Sequence, residues 1–166
     1  MLPARGTMSD DAAFFFGEDP AHPGWHSWQL RDDTRYNGFL GPLLVRREGD
    51  IARVRMTPLH KHSNLADAVH GGTTLGFIDV ALFGASRVFG LIEAGTAVTL
   101  DLSVQFIGAG KTGVIMEAEV ELLRETRRLL FLRGLVTQGD DKVAAFSGTI
   151  RKATAATGFP SLPGRG

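Results

Sequence analysis

Residues 73 to 92 form a segment that is apolar almost all the way round a helix, and this segment constrains the fold more than any other. Only Asp79 and Arg87 carry charge within it. A helix without a polar face has to be covered on every side. We therefore expect a curved sheet to wrap around this helix, with further cover on the side that faces away from the sheet.

Strand patterns lie on both sides of the predicted helix. Two short ones, 39–48 and 50–57, precede it on either side of the turn signal Gly49-Asp50. Four follow it, at 96–107, 113–123, 129–136 and 142–150. In the first of these four, alternation predicts one apolar face that consists of Val98, Leu100, Leu102, Val104 and Phe106. The order β-β-α-β-β-β-β predicts an α+β domain, with a largely antiparallel sheet and one helix on one face.

The two ends of the chain differ in composition from this domain. We interpret residues 1–30 as an irregular N-terminal arm, 31–152 as the folded domain and 153–166 as a flexible tail rich in glycine and proline. The arm contains five large aromatic side chains, namely Phe14, Phe15, Phe16, Trp25 and Trp28. Such a set is rarely left exposed, so we expect residues 14–28 to pack near the helix or a subunit interface. The alternative is a disordered arm.

Composition excludes several classes of function. The 166 residues have a net charge of zero, which gives no long-range attraction to nucleic acid or to an anionic membrane. Without cysteine there is no disulfide, thiolate metal site or cysteine nucleophile. His60 and His62 lack a third ligand nearby and are expected to be surface-loop histidines, so we predict no metal site. The chain start lacks a signal-peptide pattern and no apolar run is long enough to cross a bilayer, so we expect a cytoplasmic protein.

The acid inside the apolar helix needs a physical reason. A buried carboxylate is costly unless it is paired or hydrogen-bonded, so Asp79 either faces water, pairs with a base such as Arg87, or serves a site. The pair Gly71-Gly72 at the predicted helix start would expose backbone N–H groups where the helix dipole favours negative charge. It could equally be a tight entry turn with Thr73 as the N-cap.

The spacing of Asn64, His70-Gly71-Gly72 and Asp79 is the feature that carries a family resemblance. On these residues the chain resembles the hotdog-fold acyl-CoA thioesterases, in the branch of the phenylacetyl-CoA thioesterases and thioesterase superfamily member 2. The resemblance covers about residues 37 to 152. It implies the hotdog fold, in which an antiparallel sheet wraps around a central buried helix, and an enzyme that hydrolyses an acyl- or aryl-CoA.

The resemblance also implies roles for five residues. Asp79 would be the nucleophile or the general base that activates water, and the Gly71 N–H would bind the oxyanion. Asn64 would position water or the thioester. His70 would shape the site or bond near the acyl carbonyl, although it could also be a histidine that only packs the loop. Thr99 would help to orient water, although on its own it reads as an exposed β-branched residue.

Partners follow from the same resemblance. The site would form between two subunits, which implies a homodimer and commonly a homotetramer. Coenzyme A would be part of the substrate rather than a cofactor, and Arg127 and Arg128 lie where relatives approach its phosphates. The alternative function is a non-catalytic acyl-CoA-binding module on the same fold. The acyl group itself is left open by the sequence.

Overall fold

Eight strands and two α-helices make up the part of the chain that this computed structural model describes, residues 14–93 and 97–153. The strands are β1 (Phe14–Glu18), β2 (His26–Leu30), β3 (Leu43–Glu48), β4 (Ile51–Met56), β5 (Val98–Phe106), β6 (Met116–Glu125), β7 (Leu129–Gln138) and β8 (Asp141–Arg151). The helices are α1 (Tyr36–Leu40) and α2 (Gly71–Val88), with a 3-10 turn at His60–His62.

All eight strands pair antiparallel in one sheet, in the order β1-β2-β3-β4-β6-β7-β8-β5. The helix α2 lies across this sheet and contacts strands from both of its halves, β3 and β4 as well as β5, β6 and β8. Its fully buried side chains include Phe77, Ile78 and Leu82. The predicted α+β fold, with an antiparallel sheet wrapped around one buried helix, is therefore confirmed.

The helix ends earlier than its apolar pattern suggested. The prediction was 73–92, whereas α2 runs from Gly71 to Val88. Gly90 adopts a left-handed φ of 76°, and the N–H groups of Gly90 and Leu91 bond back to Arg87 and Ser86. This is a Schellman motif, in which a residue with positive φ stops the helix. Leu91 and Ile92 are therefore core residues beyond the helix.

Residues 14–30 are not the irregular arm that composition suggested. They form a β-hairpin, β1 and β2, that adds to the sheet through the pairing of β2 with β3. The prediction that this segment packs near the helix is confirmed for Trp28, which is 5% exposed and whose ring lies against Gly84 of α2. Trp25 is also 5% exposed. The hairpin could not be recognised from an alternation of apolar and polar residues. Its strands are short, and three consecutive phenylalanines do not indicate which face is buried. Residues 1–13 and the predicted tail from 154 to 166 lie outside the described residues.

Among residues 14–93 and 97–153, no helix combines the length and the apolar character needed to cross a membrane.

Candidate active site

The carboxylate of Asp79 is held by a hydroxyl from the sheet. The Thr99 Oγ1 donates a hydrogen bond of 2.6 Å to Asp79 Oδ1. Asp79 is half-buried on α2 and lines a cavity. Arg87, the alternative partner, instead donates from Nη1 to the Ile92 carbonyl at 3.3 Å and stacks over the Phe16 ring. The acid therefore has a hydrogen-bond partner and access to a cavity.

A β-bulge turns Thr99 toward the helix. Thr99 pairs with Ile150 and the next pair joins Asp101 to Thr149, so Leu100 is the extra residue. A bulge shifts the alternation of a strand by one residue. Thr99 therefore shares the inner face with Leu102, and Leu100 is left 55% exposed. The prediction that Leu100 lies on the buried face and Thr99 on the polar face is wrong for this reason.

The cavity beside Asp79 is small and mostly apolar, with a volume of about 200 Å³. Its lining comes from the hairpin, from α1, from α2 and from the segment that leads into β5: Phe14, Trp28, Asn37, Asp79, Val80, Phe83, Arg87, Ile92 and Ala97. Most of these side chains are hydrocarbon, with a carboxylate, an amide and a guanidinium among them. Such a lining suits a mostly apolar ligand group that has a few polar atoms.

Asn64 is fixed by its own loop. Its Oδ1 accepts the N–H groups of Ala66 and Ala68 at 2.9 and 3.2 Å, and its N–H donates to the Ala68 carbonyl at 2.8 Å. Two backbone donors identify that side-chain atom as the oxygen. Within the part of the chain that the structure describes, the Nδ2 group has no partner, so it is the donor available to a ligand.

His70 is the N-cap of α2, a role expected for Thr73 in the entry-turn interpretation. The His70 Nδ1 accepts the Gly72 N–H at 2.9 Å, while Thr73 Oγ1 donates to the His62 carbonyl at 3.3 Å. Because Nδ1 accepts, a neutral ring carries its proton on Nε2, which is then a second donor at this end of the helix.

The Gly71 N–H is the first of the helix. It has no hydrogen-bond acceptor among residues 14–93 and 97–153, as expected for the first turn of a helix. The helix dipole places partial positive charge there. This group can therefore stabilise negative charge on a ligand oxygen.

Asn64 and His70 line a second cavity. It is broad, about 850 Å³, and is lined by His60, Lys61, Ser63, Asn64, Leu65, Ala66, Asp67 and His70. It shares no lining residue with the Asp79 cavity. Asp79 lies eight positions after Gly71 in the helix, which amounts to about 12 Å along the axis at 1.5 Å per residue. Within one chain, the two groups cannot meet at a single carbonyl.

The remaining predicted residues lie apart from both cavities. Arg127 and Arg128 are exposed in the turn between β6 and β7, and neither lines the Asp79 cavity or the loop cavity.

His62 was expected at the surface, but it is 1% exposed. Its Nδ1 accepts the Leu59 N–H at 2.8 Å and its Nε2 lies 2.6 Å from the Phe39 carbonyl. Sequence spacing gave no signal for this packing role.

Asn37 was missed as a cavity residue, because nothing in the sequence around it indicated such a position. Trp28 was not named as a site residue, but its position beside α2 follows from the prediction that residues 14–28 pack near the helix.

Comparison with known proteins indicates the family and the fold that this chain resembles. The family model described as the thioesterase superfamily matches residues 67–145. None of the curated proteins matches the chain. Among solved structures, the mutant N33D of the phenylacetic acid degradation protein PaaI from Thermus thermophilus is 27% identical, with a TM-score of 0.58, and the match covers 69% of this chain and 96% of that one.

Two further structures share the fold at lower identity. The E. coli PaaI protein from the phenylacetic acid degradation operon is 21% identical with a TM-score of 0.61, and the match covers 70% of this chain and 83% of that one. A hypothetical thioesterase from Streptococcus pneumoniae, solved with coenzyme A, is 18% identical with a TM-score of 0.58, covering 68% and 88%. These matches confirm the fold and the resemblance to the thioesterase superfamily over residues 67–145. The roles that the resemblance suggested for Asn64, His70, Gly71 and Asp79 stay predictions.

Proposed function

Because this chain has the hotdog fold and resembles the thioesterase superfamily over residues 67–145, we propose that it hydrolyses an acyl- or aryl-CoA to the free acid and coenzyme A. One observation supports this most directly: a carboxylate, Asp79, is hydrogen-bonded at the edge of a small apolar cavity. An apolar acyl group fits that cavity, whereas the charged coenzyme A does not.

The chemistry follows from the atoms at each position. Asp79 takes a proton from water as the hydroxide oxygen bonds to the thioester carbon, and the carbonyl becomes an oxyanion. The Gly71 N–H donates to that oxyanion, where a preformed donor stabilises developing charge. The carbon–sulfur bond then breaks, and the coenzyme A thiolate takes up the proton. If Asp79 attacks the carbon itself, an acyl-aspartyl anhydride forms first and water cleaves it.

We infer that the site is shared by two protomers. About 12 Å of helix separates Gly71 from Asp79 in one chain, so Asp79 of one protomer would face the Gly71 and Asn64 of its partner. A homodimer is then the smallest active unit, and pairing of dimers into a tetramer is the assembly that we propose. Asn64 Nδ2 and His70 Nε2 would hold the water and the thioester beside the oxyanion donor.

Coenzyme A would approach from the side of the loop cavity. The Streptococcus pneumoniae structure contains coenzyme A, which supports this substrate class for the present chain. Arg127 and Arg128, which the sequence suggested as phosphate contacts, remain candidates for its charged end, and we propose no other cofactor. The cytoplasm, where we expect the protein, would be the place of the reaction.

Thiol release across a panel of aryl, short, medium and long acyl-CoAs tests the function. We expect at least one substrate to release free coenzyme A with saturable kinetics, and no release with Asp79→Asn. Saturable binding of the same compounds without any thiol release by the wild type would contradict the proposal and favour a non-catalytic acyl-CoA-binding module.

Mixing two inactive variants tests the shared site. Asp79→Asn and Asn64→Ala chains, refolded together in equal amounts, should form mixed dimers with one intact and one doubly damaged site. Random pairing makes half of the dimers mixed, so about one quarter of the wild-type activity should return. Each variant refolded alone is the control. No recovery in a mixture with demonstrated subunit exchange would place the whole site within one chain.

A further inference from the structure

The N-terminal hairpin closes one side of the Asp79 cavity. Phe14 from β1 and Trp28 from β2 both line that cavity, and their rings stack with centroids 5.6 Å apart and an interplanar angle of 15°. We name this pair the aromatic wall. Two hydrocarbon side chains of α2, Val80 and Phe83, line the same cavity. The wall comes from a part of the chain that precedes the family match at residues 67–145.

The aromatic wall is held firmly in place. Trp28 pairs with Leu43 in the sheet, and its ring lies against Gly84 of α2. A β-carbon added at Gly84 would lie 3.3 Å from Trp28 Cε3 and 3.0 Å from a methyl of Val45. The absence of a side chain at Gly84 therefore leaves the space that the indole of Trp28 occupies. The backbone of Trp28 is paired with β3 and its ring packs against α2. The ring therefore cannot move away from the cavity without disturbing these contacts.

Trp28 occupies this position at some cost. Its Nε1 is buried and finds no hydrogen-bond partner among residues 14–93 and 97–153. A buried donor without an acceptor is destabilising, and a smaller apolar side chain would avoid the penalty. At this position the indole therefore contributes its large apolar surface and volume rather than a hydrogen bond.

We propose that the aromatic wall limits the length of the acyl group and that Trp28 is a specificity-determining residue of this chain. This inference rests on the proposed function. A cavity of roughly 150 Å³ holds one benzene ring, so about 200 Å³ accommodates a single ring or a short chain but not a long fatty acyl chain. The substrate is then a compact acyl group whose far end abuts Trp28.

The hairpin provides a matched control for this idea. Trp25, like Trp28, is 5% exposed, but it does not line the cavity. Its ring lies between the guanidinium groups of Arg46 and Arg55, at 4.5 and 4.1 Å. Replacing either tryptophan by leucine removes a similar volume from the same hairpin. Only Trp28→Leu would enlarge the space beside Asp79.

The experiment compares kcat/KM for butyryl-, hexanoyl-, decanoyl- and palmitoyl-CoA in the wild type, Trp28→Leu and Trp25→Leu. We expect the ratio of decanoyl to butyryl activity to rise at least about 10-fold in Trp28→Leu, since discrimination by pocket size reaches that order. The same ratio should stay within about 2-fold of the wild type in Trp25→Leu. Phe14→Leu, at a half-buried edge-strand position, should shift the ratio in the same direction by less.

Unchanged ratios in both Trp28→Leu and Phe14→Leu would overturn the inference, as would an equal shift in Trp25→Leu. Measurements of substrate binding distinguish a failure of this inference from a failure of the proposed function. In the Asp79→Asn background, dissociation constants for butyryl- and decanoyl-CoA are measured by calorimetry with and without Trp28→Leu. A change in that binding ratio supports the wall even if the wild type hydrolyses nothing, and an unchanged ratio refutes it.

Discussion

The two halves of the proposed site are built in different ways. In the loop half, Asn64, His70 and Gly71, the side chains of Asn64 and His70 are fixed by hydrogen bonds to residues two to four positions away. The helix half, Asp79 and Thr99, depends on a bond between residues 20 positions apart and on a hairpin from the chain start. The side-chain bonds of the loop half depend on nearby residues, whereas the helix half requires the correct sheet register. The two halves should therefore respond differently to mutation.

The largest expected effect is in the helix half. Asp79→Asn keeps the shape of the side chain and removes the base, so we expect kcat to fall by about 10²-fold or more. The melting temperature should change little, because Asn still accepts the Thr99 hydrogen bond. A folded Asp79→Asn protein with nearly wild-type kcat would remove Asp79 from the mechanism.

The next effect isolates one backbone group of the loop half. Gly71→Pro removes the N–H proposed as the oxyanion donor, at the first helical position, where proline is well tolerated. The extended backbone of His70, with φ −61° and ψ 137°, is the conformation preferred before proline. We expect kcat to fall by about 10²-fold.

Gly71→Ala is the matched control, because it retains the N–H. Its added β-carbon would meet only the Phe106 ring, at an ordinary contact distance of 3.5 Å. Steady-state kinetics and the melting temperature should therefore stay close to wild type. If Ala and Pro reduce kcat equally while both proteins remain folded, the N–H is not the oxyanion donor.

A smaller loss is expected when the bond between helix and sheet is removed. Thr99→Val keeps the shape of the side chain but lacks the hydroxyl that donates to Asp79. We expect kcat to fall about 10-fold, since hydrogen bonds to a charged group are among the stronger ones. Thr99→Ser keeps the hydroxyl and should retain most of the activity. If Thr99→Val has the same kcat as the wild type, the Thr99 bond orients the Asp79 side chain in the free protein and does not contribute to catalysis.

The fold is what the sequence predicted best, because an apolar helix between alternating strands has few stable arrangements. The catalytic roles suggested for Asn64, His70 and Gly71 stay predictions. The bonds that Asn64 Oδ1 and His70 Nδ1 accept within the loop were not predicted, although they are local. The contradicted details are non-local. The bulge at Leu100 depends on pairing with β8, and the buried position of His62 depends on Phe39, 23 residues away.

The hairpin illustrates the same limit. Its two strands are five residues each, which is too short for alternation to be convincing, and β2 gains its stability from pairing with β3. Nothing within residues 14–30 specifies that partner. Proline and glycine near the turn favoured an irregular arm, whereas the tryptophans correctly indicated that the segment is buried.

The smallest expected effect concerns the turn that supports the aromatic wall. The Ser27 hydroxyl donates to Asp19 Oδ2 at 2.6 Å, and His22 lies 3.0 Å from Oδ1. The Ser27 bond, followed by the His22 bond, holds the pKa of Asp19 below its ordinary value. A carboxyl group whose folded pKa is lowered stabilises the fold above its unfolded pKa, and this contribution disappears as the pH falls through the folded pKa.

Asp19→Asn should therefore lower the melting temperature slightly at neutral pH, and the difference from wild type should shrink as the pH falls through the folded pKa of Asp19. Thermal melts across that range measure it, with Asp33→Asn, an exposed carboxylate outside the hairpin, as the control. The ratio of decanoyl to butyryl activity provides a second measurement. Loosening the hairpin should raise the decanoyl-to-butyryl ratio slightly, because the wall borders Asp79, but leave the loop half intact. A difference that stays constant with pH would show that the Asp19 charge does not stabilise the hairpin, and the wall would then rest on the sheet pairing of β2 and the packing of Trp28 alone.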